Sequence, residues 1–194
     1  MSNNTWELIL QERCRILNDT SIKVNAPATL QEIQYLEESL DVDLPHSFKK
    51  YLLTFNGQIN KHHGDLPLLG YNNFLSIDEI IKTWNMMNEL FDDEDRIDWV
   101  NENKIKPVIW SRKWIPFTDF EASDRLVIDL EPGKNGRVGQ IFCCHSGMDY
   151  EGAEFEEIIS DSFEDFSKGI LSRLKQNMVE VKDSIIKFPD YFIV

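Results

Sequence analysis

The chain has 194 residues, 42% of them hydrophobic and 11% aromatic, which is enough to bury the core of one domain and too apolar for a disordered chain. Nine Gly and seven Pro exclude a collagen-like or low-complexity chain, and the apolar runs fall far short of the ~20 residues of a membrane span. Asp and Glu number 34 against 20 Lys and Arg, a net charge of −14, which disfavours direct contact with nucleic-acid phosphates or an anionic membrane and leaves a basic protein partner or plain solubility.

Residues 1–7 show no basic cluster followed by an apolar stretch, so no secretory leader is expected. Trp6, Ile9, Leu10, Arg13 and Leu17 recur at helical spacing, with one polar intruder, and predict a first helix over 6–17. Residues 18–27 read as a connector. Thr29 with Glu32 forms a capping box that opens a second helix, with Leu30, Ile33, Leu36 and Leu40 as its apolar stripe and residues 41–44 as its end. Pro45 suits the first turn of a third helix carrying Phe48, Leu52 and Phe55, which Asn56-Gly57 terminates. A loop then leads to a short strand near 66–71. Ser76 with Glu79 is a second capping box, followed by Ile77, Ile80, Ile81, Trp84, Met87 and Phe91 as a buried stripe.

Beyond residue 104 the period changes. Residues 107–110, 114–117, 125–130 and 138–145 read as strands, with 131–136 as a hairpin connection. Leu126, Ile128 and Leu130 alternate with Arg125, Val127 and Asp129, the pattern of a sheet covered mainly on one face. A last helix begins at Ser162, with Phe163, Phe166, Ile170, Leu174 and Met178 on its inner face, and residues 185–194 read as an extended apolar tail. Helices, then clustered strands, then a helix predict an α+β fold: one domain with helices packed on a bent, mostly antiparallel sheet. The expected organisation is an N-terminal helix and connector over 1–24, a main domain over 25–180, and a tail over 181–194 packing on it.

Leu44-Pro45-His46-Ser47-Phe48-Lys49-Lys50-Tyr51-Leu52-Leu53, followed by Asn56-Gly57, resembles the leading motif of the SUKH superfamily. Its central strand-and-turn signature is similar to Trp114-Ile115-Pro116-Phe117, Leu126 to Leu130 with Pro132-Gly133, and Gly136 to Gln140. Ser162-Phe163 with Phe166 resembles its final helix entry, so the similarity runs in order over roughly residues 25–175. Residues 118–124 replace the Gly/Asp-rich turn that often follows the family's Trp-Ile-Pro strand. The resemblance implies helices on a bent antiparallel sheet. It also implies one of two roles: a bacterial immunity protein that neutralises a toxin in the cytoplasm, or a regulator of the fungal cell-wall assembly and glucan synthesis type. It implies no shared catalytic residue, and no binding residue transfers by motif.

The candidate chemistry reads as structural. Gly133, Gly136 and Gly139 are spaced G-x-x-G-x-x-G, but a strand follows where a phosphate loop needs a helix, so a hairpin turn is expected. Cys143 and Cys144 are adjacent on a strand and point to opposite faces, so they do not share a metal, and His62, His63 and His145 add no evident ligand set. An odd total of three Cys suits a reducing cytoplasm better than a disulfide framework. Residues 92–98 lack the Gly of an EF-hand turn. No cofactor and no metal are expected.

Acid is unevenly distributed. Residues 86–102 hold seven acids and one base, and residues 147–165 hold eight acids and no base, with aromatics interleaved. Asp92, Asp93, Glu94 and Asp95, or Asp149, Tyr150, Glu151 and Glu154, are the expected partner-binding residues. The function expected is non-catalytic: stoichiometric binding of a cognate toxin with a basic surface, a nuclease being one candidate. The alternatives are a regulatory scaffold and a carboxylate-dependent hydrolase.

Overall fold

The computed structural model describes residues 4–20, 23–59, 67–91, 96, 103–119, 124–145 and 158–189. Capping boxes start three helices: Asn4 with Glu7 opens α1 (Thr5–Leu17), Thr29 with Glu32 opens α2 (Leu30–Leu40), and Ser76 with Glu79 opens α4 (Ile77–Leu90). Between them lies the short α3 (His46–Leu52), and Ser162 caps α5 (Phe163–Lys175). Pro45 precedes the first turn of α3 as its N-cap, in extended conformation. Leu30, at the first position of α2, is 73% exposed, so the buried stripe of that helix is Ile33, Leu36 and Leu40.

The strands are β1 (Asn73–Phe74), β2 (Trp114–Pro116), β3 (Thr118–Asp119), β4 (Asp124–Asp129) and β5 (Gln140–His145), followed by β6 (Glu180–Lys182) and β7 (Ile185–Lys187). All their pairings are antiparallel: β2-β4-β5 form the central sheet, β1 pairs β3, and β6 pairs β7. Trp114, Asp129 and Gln140 stand opposite one another across the central sheet. The path bends at Phe117, which separates β2 from β3; its N–H bonds Leu126 and its carbonyl accepts from Leu75.

Several expectations shift. The strand near 66–71 is instead β1 at 73–74, because Leu69 and Asn72 close a tight bridge just before it. Residues 107–110 form no strand; Val108 makes an isolated bridge to Arg96. Val138 lies in the turn and is 70% exposed, so β5 starts at Gln140. Met178 lies beyond the end of α5 and is exposed, because the chain there turns back through Asn177, which has positive φ. Of the apolar tail, Ile185–Lys187 form β7 and Ile186 and Phe188 lie in the core, while residues 190–194 lie outside the described residues.

The central sheet is buried on both faces, not mainly on one. Leu126, Ile128 and Ile141 face a large cluster roofed by α1, α2, α3 and α5. Val127, Phe142 and Cys144 face a smaller one built with Met87, Ile105, Val108, Trp110 and Trp114. The alternation of β4 is real, but residues 103–111 fold over its second face. Trp6 joins the ends of the chain to the large cluster, its ring centroid 4.9 Å from Tyr51 and 5.9 Å from Phe163. Arg13, the intruder on the first helical stripe, is buried with its Nε–H donating to the Leu68 carbonyl at 2.9 Å.

Candidate partner interface

The motif residues have structural work. Leu44, Phe48, Tyr51 and Leu52 are core. The Asn56 side-chain oxygen accepts the Ile77 N–H at 2.8 Å, which ties the turn after α3 to the start of α4. Gly57 has φ +70°, and a Cβ there would stand 2.4 Å from the Leu75 and Ser76 backbone, so glycine is required twice over.

The glycine-rich turn after β4 is held against residues 103–106. A Cβ on Gly133 would lie 2.1 Å from the Asn103 carbonyl oxygen, and one on Gly136 would lie 2.1 Å from that of Lys104. The Gly133 N–H donates to Lys104 and the Asn135 N–H to Asn103. Asp129 anchors this junction: its carboxylate accepts Gln140 Nε2 at 2.8 Å and the Glu131 N–H at 3.0 Å, while Gln140 Nε2 also reaches the Lys104 carbonyl at 2.9 Å. Burial raises the Asp129 carboxyl to about 6, partly opposed by the bonds from Gln140 and Glu131. Lys106 and Ser111 both bond Glu131, at 2.7 and 3.2 Å. Gly133 and Gly136 are thus spent on close packing, while Gly139 meets open space and serves its positive φ of 89°.

Cys143 packs against the large cluster and Cys144 lies in the small one, as opposite faces of a strand require. Burial pushes both thiols up, away from the reactive thiolate. Among the described residues, no three His, Cys, Asp or Glu side chains stand together to hold a metal ion.

Asp92, Asp93, Glu94, Asp95, Asp149, Tyr150, Glu151 and Glu154 lie outside the described residues, as do His62 and His63. Of the second acidic run, Asp161 pairs with Arg137 at 2.9 Å, Glu164 with Lys168 at 2.6 Å, and Asp165 bonds the Ser162 cap.

A further acidic surface was not singled out in the sequence. An open groove of about 580 Å³ lies where the exit of α2 meets the sheet. Helix α2 and its exit contribute Glu37, Glu38, Asp41, Val42 and Asp43; the sheet side contributes Lys113, Leu130 and Val138. Glu37 is neutralised, accepting Lys49 Nζ at 2.6 Å and the Leu44 N–H at 2.8 Å. Glu38 accepts the neutral Gln34 amide, at 2.8 Å. Lys113 Nζ donates to the Asp41 carbonyl at 2.6 Å and stands 3.7 Å from its fully exposed carboxylate. The signal was available: residues 29–44 carry five acids and no base.

No helix among the described residues is long and apolar enough to cross a membrane. No curated protein matches the chain. A family model does: that of the SMI1 / KNR4 family (SUKH-1), over residues 27–169, well over half of the chain.

Proposed function

The chain belongs to the SMI1/KNR4 family (SUKH-1), and from that premise we propose that it is a cytoplasmic immunity protein that neutralises a cognate toxin by stoichiometric binding, with no turnover of its own. The observation that carries this reading is where the family's motif residues go. Asn56, Gly57, Gly133, Gly136 and Gln140 are spent on holding turns and strands together. Such a scaffold leaves recognition to the surface, and this surface belongs to a chain with a net charge of −14.

An acidic inhibitor complements a protein whose own substrate demands a basic surface, and nuclease toxins are of that kind. Asp92 to Asp95 and the stretch from Asp149 to Glu154 remain the proposed rim, with Tyr150 as an anchor. The test is co-expression with the product of a neighbouring toxin gene. Growth should be rescued, and a complex of fixed stoichiometry should be isolated. Turnover by the purified chain that disappears on changing one carboxylate would instead favour the hydrolase. Co-purification with many signalling proteins and no toxin would favour the scaffold.

A further inference from the structure

We propose that the outer edge of β6 is the pairing edge of a symmetric dimer, in which two copies of this chain join β6 to β6 antiparallel about Val181. The inference stands on the backbone of the C-terminal hairpin and is independent of the toxin reading.

An antiparallel hairpin alternates residues whose N–H and C=O face the partner strand with residues whose groups face away. Asp183 and Ser184 join β6 to β7, and both have positive φ. That two-residue turn makes the flanking Lys182 and Ile185 a hydrogen-bonded pair. The next pair, Val181 with Ile186, then faces outward on both strands. On β7 this is directly visible, because the Ile186 carbonyl accepts the Gly70 N–H at 2.9 Å. Val181 therefore presents its N–H and C=O to the other side of the hairpin, where no strand pairs with β6 among the described residues. Ile186 and Phe188 anchor the hairpin in the core, so the edge is set before a partner arrives.

The side chains select the partner. Residues paired across strands share a face, so Val181 stands beside Ile186; Ile186 is 2% exposed and Val181 51%. Apolar cover thus runs out at the edge strand, and Met178, just before it, is exposed as well. Sheets guard such edges with charge, and Glu180 and Lys182 flank Val181 here, both exposed. Glu-Val-Lys is, however, its own complement. Turned antiparallel about Val181, Glu180 of each copy stands opposite Lys182 of the other, in the close pairs where Cα atoms lie about 4.5 Å apart. Val181 meets Val181, and their outward N–H and C=O groups exchange two hydrogen bonds. Parallel pairing, or a shift of two residues, sets like charge against like. Residues 173–187 hold four bases and two acids, so the acidic excess behind the net charge of −14 lies elsewhere and does not hold the two edges apart. A two-fold contact of this kind closes on itself and stops at the dimer.

The test uses sedimentation equilibrium of the full chain over the micromolar to millimolar range, with amide hydrogen exchange of the ¹⁵N-labelled chain at both ends of that range. A reversible monomer–dimer equilibrium is expected. Exchange at Val181 should slow with concentration far more than exchange at Lys182, whose N–H is already bonded within the hairpin. Glu180→Lys and Lys182→Glu should each weaken dimerisation by about tenfold or more, with cooperative melting retained. An equimolar mixture of the two variants should dimerise again, because each then offers the charge that the other lacks. A monomer at every concentration, a dimer indifferent to both variants, no rescue on mixing, or Val181 exchange independent of concentration would each overturn the proposal. Val181 exchange that slows only when a toxin is added would give this edge to that partner and overturn the dimer as well.

Discussion

The two faces of the central sheet are built on different principles. The face bearing Leu126, Ile128 and Ile141 is covered by side chains from across the chain, from Trp6 to Phe188. The opposite face is covered from the middle of the sequence, between Met87 and Cys144 with Trp84, Phe91 and Ile158 at its margins. The first cluster is large and rich in aromatics, and the buried polar groups at its edges, Arg13, Gln58 and Thr118, bond the backbone. The second is smaller and sits beside the buried carboxyl of Asp129, which Gln140 bonds. Buried area dominates the first face, and an ionisable group and a clamped glycine turn mark the second. Substitutions should therefore fail differently on the two sides.

The largest effect should come from ending the chain after Lys168. That removes Ile170, Leu174, Ile186 and Phe188 from the large cluster while leaving every residue of the small one present. Each such side chain contributes about 1.5–3 kcal/mol, in sum comparable to a domain's whole stability, so the truncated chain should show no cooperative melting transition. An unchanged transition would show that the large cluster is not what holds the molecule.

Next in size is the glycine turn. Gly133→Ala drives a methyl into the Asn103 carbonyl and should cost about 2–3 kcal/mol in chemical denaturation. Gly139→Ala meets open space but keeps φ +89°, and should cost only about 1–2 kcal/mol of backbone strain. Equal losses would remove the claim that the turn is clamped by close approach.

The buried carboxyl of Asp129, beside the small cluster, gives the fold a pH dependence between about pH 4 and 7. Burial holds Asp129 at about 6 in the folded state, above its ordinary value of 3.8. Its contribution to stability is fully present below about 3.8 and lost as pH rises through about 6, a change on the order of 3 kcal/mol. Between pH 4 and 7 the parent should lose about that much stability relative to Asp129→Asn. Parallel profiles for the two proteins would contradict it.

The smallest effect falls in the large cluster. The Tyr51 hydroxyl is buried with no hydrogen-bond partner among the described residues, and burial raises its pKa. Tyr51→Phe should be neutral or stabilise by up to ~1 kcal/mol, measured as a denaturation midpoint. A clear loss would mean that the hydroxyl is bonded in solution and that this core is less apolar than it looks.

Local chemistry made much of the fold legible. Thr29 with Glu32, and Ser76 with Glu79, mark helix starts because a cap is a contact within four residues. The register of β4 on β5 follows from an alternation and a turn that are both contiguous in sequence. What escaped depends on distant partners. The second covered face needs Trp110 and Trp114 folded over Val127, and no period within residues 124–129 announces that roof. Met178 continues the apolar spacing of α5, yet the helix stops at Lys175 and the residue turns outward. The groove was hidden because Asp41 and Asp43 read as helix-ending residues, while Val138, which completes it, lies about a hundred residues away and reads as strand. Asp92 to Asp95 and Asp149 to Glu154, which carry the sequence-based interface, lie outside the described residues.

One-to-one binding of a basic protein partner by this acidic scaffold is measured most directly by stopped-flow association with a purified candidate toxin, identified by co-expression, across a salt series. The expected result is saturation at one equivalent, with an association rate that falls steeply as the Debye length shrinks toward ~8 Å and a dissociation rate that changes little. No saturable complex, or an association rate indifferent to salt, would contradict it.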